Sequence, residues 1–218
     1  FRLDLLVQAL CTEAKERVLV LGCPRDRIDI VNLPLSIEKY PDVGVDSSSI
    51  NRWLLPARFV EKKGHNVAIA AFKELIREYP AARMTFWGYG DPDALKEAIA
   101  SEKMSDYIEV VDNGARTDFD AAYLEQLHTH DAILSPSITS NSGDDEGGPA
   151  LTAVLAQVAG KPVILSDFPG SERSVTDGVE GLIVPQGDAI ALFKAMRRYS
   201  QDSALARKHG VAGRHRAV

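Results

Sequence analysis

Cysteine is scarce: Cys11 and Cys23 are the only two in 218 residues. They make no CxxC pair and no metal-ligand spacing. That excludes a disulfide scaffold and a zinc-finger type of site, and it points to a reducing, cytoplasmic setting. Long apolar runs are missing as well. None approaches the ~20 residues needed to span a bilayer, and no signal peptide is visible. Any membrane contact is therefore expected to be peripheral, at the cytoplasmic face, through regions outside this chain. A surplus of positive charge is absent: 25 Lys and Arg stand against 31 Asp and Glu, for a net charge of -6 and a pI near 5.4. This argues against a nucleic-acid partner bound by phosphate neutralisation, while leaving room for a local basic site. Neither a GxSxG elbow nor a P-loop occurs. The five histidines, His65, His128, His130, His209 and His215, stand near no evident nucleophile and at no zinc spacing, and all are expected on the surface.

What is present is ordinary for a globular protein, with 45% hydrophobic and 26% charged residues. The length suits one large domain, or one domain and part of a second. The chain opens on Phe1 in an apolar run and stops inside a charged, helix-like stretch, so both ends are expected to be cut from something longer. Residues 3–10 read as a strand, 12–19 as a helix capped at Thr12, and 27–31 as an alternating strand. Residues 36–51 carry Pro, Gly and a serine run without periodicity. They mark the main boundary, between a truncated segment 1–51 and a unit 52–218. Beyond it, strands are expected at 54–60, 84–87, 107–111, 131–134, 162–165 and 181–184. Helices are expected at 67–79, 92–100, 118–127, 171–175, 188–199 and 202–216. Strands alternating with helices of this kind call for a parallel sheet covered on both faces. The expected fold class is α/β, a doubly wound parallel sheet of Rossmann-like form.

Ligands of such sheets sit outside the carboxyl ends of the strands, so the loops leaving the strands are where chemistry is sought. Arg58 and Lys63 follow the first strand of the larger unit. A planar guanidinium fork and a mobile ammonium at that place can converge on one anion; taken alone, they also describe a solvated basic turn. Gly88 and Gly90 allow a tight turn and close approach of a ligand to the backbone. The third glycine of a dinucleotide fingerprint is missing, so neither NAD nor FAD is indicated. The stretch 143–160, GDDEGGPALTAVLAQVAG, joins an acidic loop to a short apolar helix. Pro149 suits the first helical position, and Leu151, Val154, Leu155 and Val158 recur as its buried face. Gly147 and Gly148 leave backbone N–H groups uncovered at the positive end of the helix dipole, a seat for a phosphate or a sugar. Adjacent Asp144, Asp145 and Glu146 are poor metal geometry. Hydrogen bonds to sugar hydroxyls suit them better, and no metal is expected. Asp188 reads as a helix N-cap.

Taken in order, RFVEKKG, WGYGDPD, ILSPS, EGGP with AGKPVILSD, GSERSVTDGVEGLIVPQGD and a closing helix resemble the donor-binding half of family 4 glycosyltransferases, retaining enzymes of the GT-B fold. The match covers residues 52–218. The preceding LVLGCPRDRIDIVNLPLSIEKY resembles the end of that family's N-terminal acceptor domain and its linker, the rest of which is absent.

The resemblance implies a hexosyltransferase that takes a nucleoside-diphosphate sugar, with no cofactor and no metal, in the manner of polysaccharide biosynthesis. The acceptor, a carbohydrate, lipid or small molecule, is left open, and the isolated fragment is expected to be inactive. Arg58 and Lys63 fall where the family grips the donor diphosphate, and Gly88 and Gly90 on its glycine turn near the pyrophosphate. Glu146 matches the first Glu of the E-x7-E motif, which contacts the transferred sugar near the reacting carbon and is the catalytic assignment. Gly147 and Gly148 match the backbone segment that faces sugar and phosphates. One position departs: Val154 stands where the second Glu would receive the ribose hydroxyls. Charge-assisted hydrogen bonds of that kind are worth about 1.5–3 kcal/mol, roughly 10- to 150-fold in affinity. Val154 thus also motivates an alternative, a non-catalytic GT-B-like domain that binds a nucleotide sugar or a partner.

Overall fold

Trp53, Leu54 and Leu55 are consecutive and all fully buried. Successive side chains of a strand point to opposite faces, so such a run needs cover on both sides of its sheet. The computed structural model, which describes residues 6–32, 35–46, 48–114 and 118–218, supplies that cover. A small unit comes first: β1 (Val7–Ala9), α1 (Thr12–Val20) and β2 (Ile28–Ile30), with β1 and β2 paired in parallel, Val7 opposite Ile28. The larger unit begins with β3 (Arg52–Pro56), α2 (His65–Glu78), β4 (Arg83–Gly88), α3 (Asp93–Ser101), β5 (Ile108–Asp112) and α4 (Phe119–Thr129). It continues with β6 (Ala132–Ser135), α5 (Leu151–Val158), β7 (Val163–Ser166), α6 (Ser171–Ser174), β8 (Gly181–Val184), α7 (Ala189–Gln201) and α8 (Ser203–Ala217).

The six strands of the larger unit lie in the order β5-β4-β3-β6-β7-β8 and all pair in parallel. The chain moves outward from β3 to β5, then returns to the other side of β3. The switch in strand order therefore falls between β3 and β6, where a crevice opens at the carboxyl ends of the strands. Trp53 and Leu55 face a core that includes Phe72 and Leu75 of α2, Phe86 and Met196 of α7. Leu54 faces the opposite core, with Tyr123 of α4, Ile133, Leu155 of α5 and Val163.

The described residues between 36 and 51 are tied down at several points. Tyr40 is buried, and its hydroxyl donates to Asp120 at 2.8 Å. The N–H groups of Val43 and Gly44 donate to the Ala159 carbonyl at 3.0 and 3.1 Å. The Asp131 carboxylate accepts from the N–H groups of Asn51 and Arg52 at 2.9 and 2.8 Å, which fixes the start of β3 against the start of β6. No described helix is long and apolar enough to cross a membrane.

Several boundaries differ from the sequence expectation. Of the strand expected at 3–10, residues 1–5 lie outside the described residues and β1 covers Val7–Ala9. The cap of α1 is Cys11, whose Sγ accepts from the Ala14 N–H at 3.4 Å, in place of Thr12. β3 stops at Pro56 rather than running to residue 60: Pro56 has no N–H to offer, and although the N–H groups of Ala57 and Phe59 still donate to the Trp87 and Tyr89 carbonyls at 3.0 and 2.9 Å, the chain leaves the sheet and makes a single 3-10 turn, Glu61–Lys63. α2 starts two residues early, at His65, behind Gly64 in the left-handed conformation at φ 69°. α5 starts late. Pro149 lies outside it, Ala150 is extended at φ -69°, ψ 110°, and the helix begins at Leu151.

The buried face of α5 also differs. It is made of Ala153, Leu155, Ala156, Gln157 and Val158, whereas Leu151 is 43% exposed. The helix is wedged between the sheet and α8, so small residues pack on two sides of it rather than large ones on one. Among the histidines, His65 and His209 are buried, contrary to the surface expectation. His209 accepts or donates at Nδ1 to the Tyr199 hydroxyl at 2.8 Å, and His65 sits edge-on to Phe86 and Phe59.

Candidate functional site

The crevice at the strand switch holds a cavity of about 400 Å3. Its wall is built from residues that follow β3 (Ala57, Arg58), β4 (Tyr89), β5 (Asn113) and β6 (Ser137), and from the start of α5 (Leu151, Thr152). Arg58, Lys63, Gly88 and Glu146 all line it. The other three glycines singled out from the sequence do not. Gly90 is exposed on the turn beyond Tyr89, Gly147 is exposed, and Gly148 is buried under Leu10. A side chain at Gly88 would put Cβ 1.9 Å from the Ala57 carbonyl oxygen, so this glycine is needed for the close approach of β3 and β4 at their ends.

Lys63 reaches the cavity because two backbone features turn it there. It ends the 3-10 turn, and Gly64 behind it packs so closely on Pro136 that an added Cβ would lie 1.9 Å from the Pro136 carbonyl oxygen. The Lys63 ammonium pairs with Glu146 Oε1. The same oxygen accepts from Ser137 Oγ at 2.8 Å, and Ser166 Oγ donates in turn to the Ser137 carbonyl. Glu146 is therefore held by two donors at 9% exposure. Arg58 is exposed, and its guanidinium makes no hydrogen bond or ion pair among the described residues. At the start of α5, Ala150 provides no side-chain cap, so the N–H groups of the first turn are left for another acceptor. The helix is fixed there by Thr152, whose hydroxyl donates to the Pro56 carbonyl at 3.2 Å and whose carbonyl accepts from Tyr123 at 2.7 Å.

The acidic loop does not converge on one point. Asp144 pairs with Lys62 at 3.0 Å, Asp145 takes both terminal nitrogens of Arg17 at 2.8 and 2.5 Å, and Glu146 pairs with Lys63. The Arg17 guanidinium holds the Asp145 carboxyl below the usual carboxylate range. Among the described residues no cluster of three or more His, Cys, Asp or Glu has the arrangement to hold a metal ion. His65 lies two residues from Lys63. Its burial, and secondarily the Lys63 ammonium, pushes it down to about 4, so it is neutral near pH 7 and adds no charge to the basic side of the cavity.

Position 154, counted from the sequence as facing the nucleotide, does not line this cavity. Val154 lines a neighbouring one together with Gln157, and α5 turns Leu151 and Thr152 to the cavity of Glu146. The sequence reading did not single out Ser137, Thr152 or Asn113 as site residues. Ser137 stands in the quoted ILSPS stretch after β6; the other two carry no local signal.

The chemistry available is then a guanidinium, an ammonium and an uncapped helix start around one carboxylate, at the place in the fold where ligands bind. The model of the family described as glycosyl transferases group 1 matches residues 48–216. The chain belongs to that family. Among relatives of this glycosyltransferase-family chain, the amylovoran biosynthesis glycosyltransferase AmsK of Erwinia amylovora is 33% identical over 192 residues, 87% of this chain and 46% of that protein. The putative colanic acid biosynthesis glycosyltransferase WcaL of Salmonella typhimurium is 29% identical over 85% of this chain and 45% of its own length. The chain thus spans less than half of these two relatives. Of solved structures, Anabaena Alr3699/HepE in complex with UDP and glucose superposes with a TM-score of 0.82 at 17% identity, covering 99% of this chain and 59% of that one. The C-terminal domain of the group 1 family protein LpcC from Francisella tularensis gives 0.67 at 16% identity, covering 84% and 96%. At such identities the likeness speaks for the fold, which is the Rossmann-like sheet of GT-B glycosyltransferases.

Proposed function

We propose that this chain seats a nucleoside-diphosphate sugar in the cavity at the β3–β6 switch, and that the whole protein transfers the sugar to a carbohydrate or lipid-linked acceptor with retention of configuration. The observation that carries the reading is the meeting of Arg58, Lys63, the uncapped start of α5 and Glu146 around one cavity. Negative charge grows on the departing diphosphate as the glycosidic bond breaks, and fixed positive groups aimed at it lower that barrier. Arg58 and Lys63 fill this part, with the α5 dipole behind them, and in this reading no metal is needed for it. Glu146, held by Ser137, orients the sugar hydroxyls. Support for the donor class comes also from Alr3699/HepE, which shares the fold and was solved with UDP and with UDP-glucose. The links of AmsK and WcaL to amylovoran and colanic acid support a polysaccharide as the product class.

The test is nucleotide binding by the paired variant Arg58→Ala/Lys63→Ala, measured by calorimetry. Loss of two charge-assisted contacts of about 1.5–3 kcal/mol each is expected to weaken nucleoside-diphosphate binding at least tenfold. Unchanged affinity would remove these residues from the diphosphate seat.

A further inference from the structure

Glu146 sits in a stretch with no regular structure to fix it. Residues 145–148 belong to no helix or strand, and among the described residues none of their N–H groups donates a hydrogen bond. A carboxylate on such a stretch is placed by whatever ties its neighbours down. In the free chain Lys63 and Ser137 also hold it. A diphosphate that draws the Lys63 ammonium away leaves Ser137 alone of these two, and the place of the carboxylate then rests on the ties of residues 145, 147 and 148.

Those ties come largely from the small unit. Arg17 of α1 gives both terminal nitrogens to the two oxygens of Asp145, at 2.8 and 2.5 Å. The Cys11 thiol donates to the Gly147 carbonyl at 3.7 Å. Leu10, which also lines the donor cavity, covers Gly148 so closely that an added Cβ there would lie 2.8 Å from the Leu10 Cβ. From the larger unit, the Lys62 ammonium meets the Asp145 carbonyl at 2.9 Å. Of these contacts the Arg17 pair is the directional one. A two-pronged guanidinium–carboxylate contact fixes orientation as well as distance, whereas a thiol is a weak donor and an ammonium is a mobile point charge. The Asp145 side chain is 12% exposed and that of Arg17 55%. Without the guanidinium, a largely covered carboxylate loses its main partner, and its way to water is a movement of the backbone beside Glu146. Exposed ion pairs contribute little to stability, so the consequence of this one lies in placement.

We propose that Arg17 is a positioning residue: through Asp145 it sets where Glu146 presents its carboxylate to the sugar of the donor. This role rests on the reading of Glu146 as the group that orients the sugar. The test uses Arg17→Met, which keeps an aliphatic stem and removes both donors, with Arg17→Lys and Asp145→Asn beside it. Calorimetry of the chain with UDP-glucose, GDP-mannose and ADP-glucose, each compared with its free nucleoside diphosphate, gives the ratio of the two affinities. In Arg17→Met the nucleotide sugar that binds is expected to lose about fivefold or more, part of the worth of one charge-assisted contact, while the affinity of its nucleotide changes by less than about twofold. Asp145→Asn should reproduce the loss, and Arg17→Lys should recover part of it. An unchanged ratio in Arg17→Met, or equal weakening of nucleotide and nucleotide sugar, would overturn the proposal. The 13C resonance of the Glu146 side-chain carboxyl gives a second readout that needs no ligand. It is expected to move in Arg17→Met and to return part of the way in Arg17→Lys; a resonance that stays at its wild-type position overturns the proposal as well. Wild-type chain that binds none of the nucleotides would count against the transfer reading, and the carboxyl resonance would still decide whether Arg17 places Glu146.

Discussion

At the scale of single residues, the telling pair is Lys63 and Glu146. The cation assigned to the diphosphate is bound to the carboxylate assigned to the sugar, so a donor that engages both must come between them, and Ser137 remains to hold Glu146. Next to this pair, the buried His65 makes a separate claim that can be checked. Its position in the fold holds it at about 4, against 6.5 for a free histidine. Below pH 6.5 the unfolded chain takes up a proton that the folded chain refuses. Stability from this residue is therefore complete above pH 6.5 and is lost as pH falls toward 4. A difference of about 2.5 pK units corresponds to about 3 kcal/mol. Urea unfolding of the wild type should lose that much more stability between pH 7 and 4 than unfolding of His65→Leu. Identical pH dependence in the two proteins would mean that His65 titrates normally. Residue identity was the easiest level to read from sequence: Arg58, Lys63, Gly88 and Glu146 do share a cavity wall. The histidine environments were not readable, because burial of His65, at the start of α2, depends on Phe59 and Phe86, which reach it from a loop and from β4.

At the scale of elements, α5 carries the main revision. Eight residues after Glu146 counts to Val154, yet the helix begins at Leu151, and its rotation places Val154 beside Gln157 on the neighbouring cavity. What faces the donor cavity is Leu151 and Thr152. A carboxylate placed at 154 should consequently give no help to a ribose. Val154→Glu is expected to change nucleoside-diphosphate affinity by less than about twofold, whereas a carboxylate that met the ribose would tighten it roughly 10-fold or more. A gain of that size, seen by calorimetry, would put the nucleotide on the Val154 side of the helix and contradict the placement. Periodicity located each helix and strand of the larger unit to within a few residues because alternating β and α patterns differ in period. The start and rotation of α5 were hidden because they depend on packing against α8, where Gly213 meets the Gln157 side chain.

For the molecule as a whole, the account rests on strand order. The alternation of elements in the sequence was enough to expect a doubly wound parallel sheet. The order β5-β4-β3-β6-β7-β8 was not written there, nor was the resulting location of the crevice between β3 and β6. The contacts of the small unit with the site were equally out of reach, since they join residues far apart in the chain. Arg17 of α1 grips Asp145, and the Cys11 thiol donates to the Gly147 carbonyl at 3.7 Å. The loop that carries Glu146 is therefore held from both units, by Arg17 on one side and by Lys62 and Lys63 on the other.

The central claim, a diphosphate seat at the strand switch, is tested most directly by calorimetric titration of the 218-residue chain with UDP, GDP, ADP and dTDP, each with magnesium and with EDTA. The account predicts saturable one-to-one binding of at least one of the four, with the same affinity in both buffers. Heats of dilution alone for all four, at concentrations well into the millimolar range, would contradict it.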